Sequence, residues 1–312
     1  MRRTMAGALL ATMLTASAVG HEAESASTSA KPRVDIVTLD VDRFYALYDD
    51  PALFAAPDVL AARYLADASP VLREYMAMRR ITPERVAKAL REKPDLYRDA
   101  RGCAQKLGAI RTRLGTATDR LATLYPAAIF PPITIAISRG APVAAANGKG
   151  LYVSLEALCA AKFLEADDEN RFVHVIAHEY VHAQQPLAQV EDREETVLRA
   201  ALIEGAAEFV AEQISGSVGY THLQHWTKGR EAAIEQAFLA EKDGKAIGSR
   251  WLYNQRGSED WPGDLGYWVG YRVAKAHYNG ASDKTKAIRE IIEMRDPAAF
   301  LAESGWSPGM KL

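Results

Sequence analysis

The chain has 312 residues, of which 48% are hydrophobic and 25% are charged. Its 38 basic and 40 acidic residues nearly cancel, and the formal net charge is −2. This composition is typical of a globular protein and excludes the disordered and fibrous classes. The sequence contains no basic stripe, so we do not expect nucleic acid as a partner.

The N-terminus has the features of a secretory signal. Two arginines precede a short apolar run, and small residues around Ala18 follow it. This order is that of a cleaved signal peptide, and the apolar run is too short for a permanent membrane anchor. We therefore expect a signal peptide over residues 1–20 and a polar leader over residues 21–32. The mature protein is expected to be periplasmic or secreted, with no membrane span after cleavage.

Two regions follow the leader: a mainly helical N-terminal region, residues 33–125, and a second region, residues 126–312. Apolar alternation at Val34 and Ile36 predicts a short strand that leads into a helix. Helical periodicity then continues to the end of the first region.

The segment TPERVAKALREKP predicts a helix with clear ends. Thr82 is a typical N-cap residue, Pro83 suits the first helical position, and Pro94 ends the helix. Beyond Pro94, an apolar stripe predicts either one long helix or two helices joined near Gly115.

The second region begins with two β-rich segments, residues 133–140 and 151–154. A loop rich in glycine, asparagine and proline separates them, which predicts a hairpin with a long connection. Helices follow, approximately at residues 168–184, 191–215, 228–243, 265–278 and 283–294. The predicted fold class is therefore α+β with helices in the majority.

The mature region contains two cysteines, Cys103 and Cys159. They are single and far apart in sequence, which makes them poor candidates for metal ligands. In an oxidising compartment they can pair, although two cysteines in a chain of this length do not form a disulfide framework. The sequence leaves open whether they form a disulfide.

The segment FVHVIAHEYVHAQQP places three histidines at intervals of four residues. Residues four apart share one helix face, so His178 and His182 project together and can bind one Zn²⁺ ion. Glu179 is then placed to take a proton from a zinc-activated water molecule and pass it to a leaving amine. His174 is expected to be a neighbour of this site, because three ligands on one straight helix lie too far apart for one ion.

A catalytic zinc ion needs three protein ligands and one open position. The downstream run LRAALIEGAAEFVAEQ carries Glu204 and Glu208, again four residues apart, in an apolar stretch where unpaired carboxylates would be costly. Glu204 is the candidate third ligand. Glu208 is the candidate acceptor for the far ring nitrogen of a ligating histidine.

HEYVH followed by LIEGAAEFV resembles the gluzincin zinc metallopeptidases. More narrowly, the chain is similar to bacterial predicted Zn-dependent proteases with an HExxH…EGxAE pattern, over roughly residues 133–278. The resemblance implies a zincin-like fold with a small β-sheet beside the active-site helix. The matching residues are His178, His182 and Glu204 as metal ligands, Glu179 as the base, and Glu208 as the carboxylate behind the ligands.

Two features depart from that pattern. Gln184 stands where the extended zincin pattern prefers an apolar residue, and the spacing between His182 and Glu204 differs from that of the aminopeptidase branch. No histidine occupies the position that would complete a metzincin site. The departures leave the subfamily and the mode of substrate binding open.

The resemblance also implies an oxyanion-stabilising tyrosine or histidine from a later helix. Tyr271 and Tyr267 are the candidates, with Tyr271 preferred, and both also fit an aromatic core stripe. His222 and His225 are the alternatives. The segment GLYVSLE is the expected edge strand to which an extended substrate would add.

The resulting hypothesis is an exported zinc-dependent hydrolase, a peptidase that acts on peptide or protein substrates with Glu179 as general base and acid. Two alternatives stay open on the sequence alone. One is a periplasmic binding or chaperone-like protein with a structural or degenerate zinc site. The other is a zinc hydrolase that cleaves a non-peptide ester or amide.

Overall fold

The computed structural model describes residues 34–147, 149–190, 195–254, 257–258 and 260–312. The expected signal peptide and polar leader lie outside these residues. All of the described residues belong to one compact unit. None of the helices in this part of the chain combines the length and apolar character that crossing a membrane requires.

The described residues form a small sheet and many helices. In chain order the elements are β1 (Ile36–Val37), α1 (Leu39–Tyr48), α2 (Pro51–Phe54), α3 (Pro57–Ala66), α4 (Pro70–Arg79), α5 (Pro83–Glu92), α6 (Pro94–Gln105), α7 (Leu107–Leu124), β2 (Ile133–Ala136), β3 (Ala144–Asn147), β4 (Gly150–Ser154), α8 (Leu155–Ala160), α9 (Asp168–His182), α10 (Leu187–Val190), α11 (Val197–Ser215), α12 (Thr221–Thr227), α13 (Glu231–Glu241), α14 (Leu265–Gly280), α15 (Lys284–Ile292) and α16 (Pro297–Glu303). The predicted α+β class with a helical majority is confirmed.

The sheet has the strand order β1-β2-β4-β3. β2 pairs in parallel with both β1 and β4, while β3 and β4 are antiparallel. The predicted hairpin between residues 133–140 and 151–154 is therefore wrong. The hairpin joins β3 to β4, and the side chain of Asn147 caps its turn by accepting hydrogen bonds from the backbone N–H groups of Lys149 and Gly150.

The position of β3 also corrects the expected edge strand. β4, which contains most of GLYVSLE, lies between β2 and β3 and is buried along its whole length. The free edge on this side belongs to β3, which packs against α9. β3, and not β4, is therefore the edge strand on this side of the sheet.

The long helical segment after Pro94 is divided at Lys106, between α6 and α7, and the predicted joint at Gly115 is wrong. Gly115 lies inside α7, where a glycine has only a modest propensity cost. The division occurs beside Cys103, whose sulfur is bonded to Cys159 at the end of α8. The disulfide thus joins the N-terminal helices to the segment that precedes α9.

Helix α9 is fixed at its N-terminus by two polar side chains. The Asp167 carboxylate accepts a hydrogen bond from the backbone N–H of Asn170 and caps the helix. The fully buried guanidinium of Arg171 donates to the backbone oxygens of Leu158 and Cys159 and pairs with Asp168. These contacts set the position of the helix that carries the HExxH motif.

Helices α11 and α14 cross at two glycines, Gly205 and Gly270. A Cβ atom on Gly205 would lie 2.1 Å from the backbone carbon of Gly270, so the crossing requires glycine there. We expect Gly205→Ala to lower the free energy of unfolding by about 1–3 kcal/mol through overpacking. Chemical denaturation measures this, with Gly115→Ala as the control.

Gly115 is also helical, but nothing lies within 4 Å of the position of its missing Cβ. Its replacement by alanine is expected to stabilise the protein by up to about 1 kcal/mol. If both substitutions change stability equally, the tight crossing of α11 and α14 does not exist in solution.

Candidate metal centre

Three side chains from α9 and α11 converge at one point. His178 and His182 lie one turn apart on α9, and Glu204 projects from α11, which packs against α9. The Nε2 atoms of the two histidines are 2.9 Å apart. The Oε2 atom of Glu204 lies 3.3 Å from His178 Nε2 and 3.2 Å from His182 Nε2. These residues are the only group of this kind found among the described residues.

The triangle of donor atoms fits a zinc ion. Ligands about 2.1 Å from a tetrahedral metal lie about 3.4 Å from one another; the two distances to Glu204 are close to this value, and the distance between the histidine nitrogens is shorter. Two imidazoles and one carboxylate are a common ligand set for catalytic zinc. The residues that would hold the ion are thus already arranged for it.

Gln185 orients His182 and was missed in the sequence. Its side-chain oxygen lies 2.7 Å from His182 Nδ1, while its amide nitrogen donates to the backbone oxygen of Ile203 at 2.9 Å. Since an amide oxygen only accepts, Nδ1 of His182 carries the proton and Nε2 is left to face the metal position. The only sequence signal was a glutamine three residues after a candidate ligand.

Glu208 lies behind His178, as expected for the carboxylate that supports a ligand. Its Oε1 atom is 2.8 Å from His178 Nδ1, which forms no hydrogen bond among the described residues. Its Oε2 atom is 2.8 Å from Nε2 of His174. Nδ1 of His174 in turn lies 2.7 Å from the backbone oxygen of Ser217. Glu208 thus joins a ligand to a second histidine, which lies outside the metal cluster.

Both ring nitrogens of His174 lie within hydrogen-bond distance of oxygen atoms. A backbone oxygen accepts from one nitrogen, and the Glu208 carboxylate accepts from the other. Burial alone would raise the pKa of Glu208. The interaction with His174 is stronger than this effect of burial, so the pKa of Glu208 is lowered and the carboxyl stays ionised. His174 and Glu208 are therefore a buried ion pair, with 2% and 7% of their surfaces exposed.

The charges of the ligand residues change one another's pKa values. Burial would raise the pKa of Glu204, but the charges of His182 and His178 lower it to about 2. Burial would lower the pKa of His178, whereas the adjacent carboxylates of Glu204 and Glu208 hold it well above its ordinary value. The two carboxylates thus favour positive charge at the point where the ligand atoms meet, and a divalent cation supplies that charge.

Glu179 lines a cavity of about 160 Å³ together with His178. Its carboxylate accepts no hydrogen bond from any residue in the described ranges. Burial raises the pKa of this carboxyl, and the charges of His182, His178 and Arg79 offset part of the increase. A carboxyl group with a raised pKa is suited to both taking and giving a proton.

The structure separates the two candidate tyrosines. The Tyr267 ring stacks near the His178 imidazole, with centroids 6.3 Å apart, and lines the same cavity as Glu179. The Tyr271 hydroxyl instead donates to Glu212 at 2.5 Å and receives a hydrogen bond from Lys275. The geometry therefore favours Tyr267 over Tyr271 as the candidate that stabilises the oxyanion.

The two alternative histidines lie on α12 and are not among the clustered donor residues. His222 bonds to the backbone oxygen of Phe163, and His225 is exposed. Tyr220, which the sequence did not suggest, packs on Tyr267 with ring centroids 5.1 Å apart and lines the cavity.

The contact of Gln185 with His182 predicts a measurable effect on metal binding. We expect Gln185→Ala to weaken zinc binding by about 10–100-fold, because the His182 ring loses its orienting acceptor. Competition with a chromophoric chelator measures the zinc affinity.

Gln184 supplies a matched control for this substitution. Its side chain bonds to backbone atoms of Ile129 and Tyr180 and to no histidine. Gln184→Ala should therefore leave zinc affinity unchanged. Equal affinities for wild type and Gln185→Ala would show that Gln185 does not orient the ligand.

A family model described as "Predicted Zn-dependent protease (DUF2268)" matches residues 136–295. The match spans just over half of the chain and includes β3, β4, α9, α11 and α14. No curated protein and no solved structure matches the chain. The matched segment contains the three residues that could hold a metal ion and the glutamate beside them. The chain therefore belongs to this family of predicted Zn-dependent proteases.

Proposed function

We propose that the protein is an exported zinc peptidase of the gluzincin type, in which His178 and His182 from one helix and Glu204 from a second helix hold the metal. The observation that carries this proposal is the three-ligand triangle beside a cavity lined by the unpaired Glu179 carboxylate. Peptide or protein substrates are those expected of the family.

Bound zinc would polarise the scissile carbonyl and make a water molecule more acidic. Glu179 accepts the proton of that water and delivers it to the departing amine, a role for which its raised pKa is suited. Gln185 accepts a hydrogen bond from the far nitrogen of His182, and the Glu208 carboxylate lies 2.8 Å from the far nitrogen of His178. Glu179 thus transfers the proton, while Gln185 and Glu208 position the ligand histidines.

Substrate is proposed to bind as an extended strand along the free edge of β3. Ala144, the first residue of that strand, lines the cavity that also contains Glu179. Backbone hydrogen bonds along a sheet edge hold a peptide without regard to its sequence. This placement brings a peptide bond next to the metal position.

An open, catalytic centre fits the arrangement better than a closed structural site. A structural zinc ion has four protein ligands. His174 and Glu208, two further donors close to the cluster, are hydrogen-bonded to each other. A structure of the zinc-loaded protein with either residue on the metal would contradict this proposal.

Tyr267 is proposed to stabilise the developing negative charge on the substrate oxygen. We expect Tyr267→Phe to lower kcat about 100-fold, since it removes one preorganised donor. Tyr271→Phe is the matched control on the same helix and should leave kcat nearly unchanged. Steady-state kinetics of both variants test the assignment. A larger loss of kcat in Tyr271→Phe than in Tyr267→Phe would assign the role to Tyr271.

The test of the function is substrate profiling. The mature protein is loaded with zinc, its zinc stoichiometry is measured, and a broad peptide library is searched for cleavage by mass spectrometry. We expect one zinc ion per chain and cleavage that stops when a chelator is added. Cleavage of ester or amide substrates without any peptide cleavage would favour the non-peptide hydrolase instead.

Export is proposed from the N-terminal sequence and is supported by the bond between Cys103 and Cys159, because disulfides persist in oxidising compartments. The N-terminal residue of protein recovered from the periplasm or the medium tests this. A chain that still begins at Met1 would contradict cleavage near Ala18 or Gly20.

A further inference from the structure

A second cavity, of about 460 Å³, lies next to the cavity that contains Glu179. The two cavities share Pro142 and Val143, which lead directly into β3. We call the second one the arginine cavity, because Arg79 and Arg139 line it. An extended peptide advances about 3.3 Å per residue. A peptide bound along β3 therefore passes from the metal position to the arginine cavity within a few residues.

Neither guanidinium in the arginine cavity forms an ion pair with any residue that the structure describes. Arg79 ends α4 and is exposed. Arg139 donates one long hydrogen bond, of 3.4 Å, to the backbone oxygen of Arg79. Its Nε atom is buried and has no hydrogen-bond partner in the described part of the chain. A buried N–H group without an acceptor is destabilising, so an anionic ligand would satisfy this position.

The buried carboxylate of Glu156 bonds to the residues on both sides of Arg139 and forms no ion pair with Arg139 among the described residues. Glu156 is fully buried and accepts hydrogen bonds from the backbone and hydroxyl of Ser138 and from the backbone N–H of Gly140. These bonds fix the segment on both sides of Arg139. The segment that carries the guanidinium is thus anchored on both sides, and its positive charge has no ion-pair partner among the described residues.

The other walls of the cavity are small or apolar. They consist of Ala157, Ala160 and Ala161 with the ring of Phe163 at one side. Arg79 and Arg139 are the charged residues of this lining, and a charge-assisted hydrogen bond is stronger than one between neutral groups. A guanidinium presents parallel N–H groups that match the two oxygens of a carboxylate.

We propose that Arg79 and Arg139 bind a carboxylate of the peptide substrate, a few residues from the scissile bond. This rests on the proposed peptidase function and specifies its substrate class. The carboxylate belongs either to an aspartate or glutamate side chain or to the C-terminus of the substrate. Both sources share the same chemistry, and matched peptides distinguish them.

The experiment uses the zinc-loaded protein and one peptide identified by profiling. In a matched series, glutamate or glutamine is placed at each position within three residues of the cleaved bond, and the C-terminus is a free acid or an amide. We expect kcat/KM to favour the carboxylate over the amide by about tenfold at one position. Arg79→Gln and Arg139→Gln should each reduce this preference, whereas Arg80→Gln, the exposed neighbour outside the cavity lining, should retain it.

A binding measurement separates this inference from the peptidase function. Fluorescence anisotropy in the Glu179→Gln background gives the Kd of labelled acid and amide peptide pools without turnover. If the protein binds the acid pool more tightly than the amide pool, and this preference depends on the arginines, the carboxylate site is supported. If wild type in addition hydrolyses no peptide, the proposed peptidase function is rejected while the carboxylate site stands. Equal affinity for both pools, or a preference that survives both arginine substitutions, overturns the carboxylate site whether or not peptides are cleaved.

Discussion

Replacing Glu179 with glutamine is expected to lower kcat by about 10²–10⁴-fold. The Glu179 carboxylate lines the cavity beside the ligands and has no partner among the described side chains, so it is free to exchange a proton with water. Glutamine has nearly the same shape but cannot take that proton. Because Glu179 is not one of the three clustered donor residues, the zinc stoichiometry should remain that of wild type.

Single-turnover cleavage and zinc analysis on the same preparation measure both parts of this prediction. Glu169→Gln is a suitable control, since Glu169 lies in the first turn of α9, where it pairs with Arg113, and it is remote from the ligands in sequence. It should retain wild-type kcat. If Glu179→Gln cleaves peptides as fast as wild type, Glu179 does not transfer the proton. Loss of zinc in that variant would instead indicate a structural task.

Helix ends in this chain were predictable because they depend on local chemistry. Thr82 accepts a hydrogen bond from the backbone N–H of Arg85, and Pro83 begins α5 as expected. The four-residue spacing of His178 and His182 likewise fixes their common face without any tertiary information. The helix that carries Glu204 was predicted from its apolar composition, and it begins at Val197 after the N-cap Thr196.

Other features depend on contacts between distant residues. β3 was missed because Ala144–Asn147 contains no β-branched or aromatic residue, and only pairing with β4 makes it a strand. Tyr267 and Tyr271 share a helix face, and their difference arises from neighbours on other helices, His178 for one and Glu212 for the other. A sequence pattern contains no information about such neighbours.

The buried pair of His174 and Glu208 gives the largest expected effect on stability. Glu208→Gln removes the only carboxylate that pairs with His174 within the described residues. An unpaired charge in a site that is almost fully buried is strongly unfavourable. We expect the free energy of unfolding to fall by about 3–5 kcal/mol. Urea denaturation in the presence of a chelator measures this without a contribution from zinc.

A double-mutant cycle distinguishes loss of the pair from general damage to α11. His174→Gln and the double variant complete the cycle, and the double variant should be less destabilised than the sum of the single changes by about 0.5–3 kcal/mol. Glu212→Gln is the control on the same helix, because Glu212 accepts from the neutral hydroxyl of Tyr271. It should cost about 1 kcal/mol. Additive single effects would mean that His174 and Glu208 do not interact, and His174 would then have no part in holding Glu208 against the ligand His178.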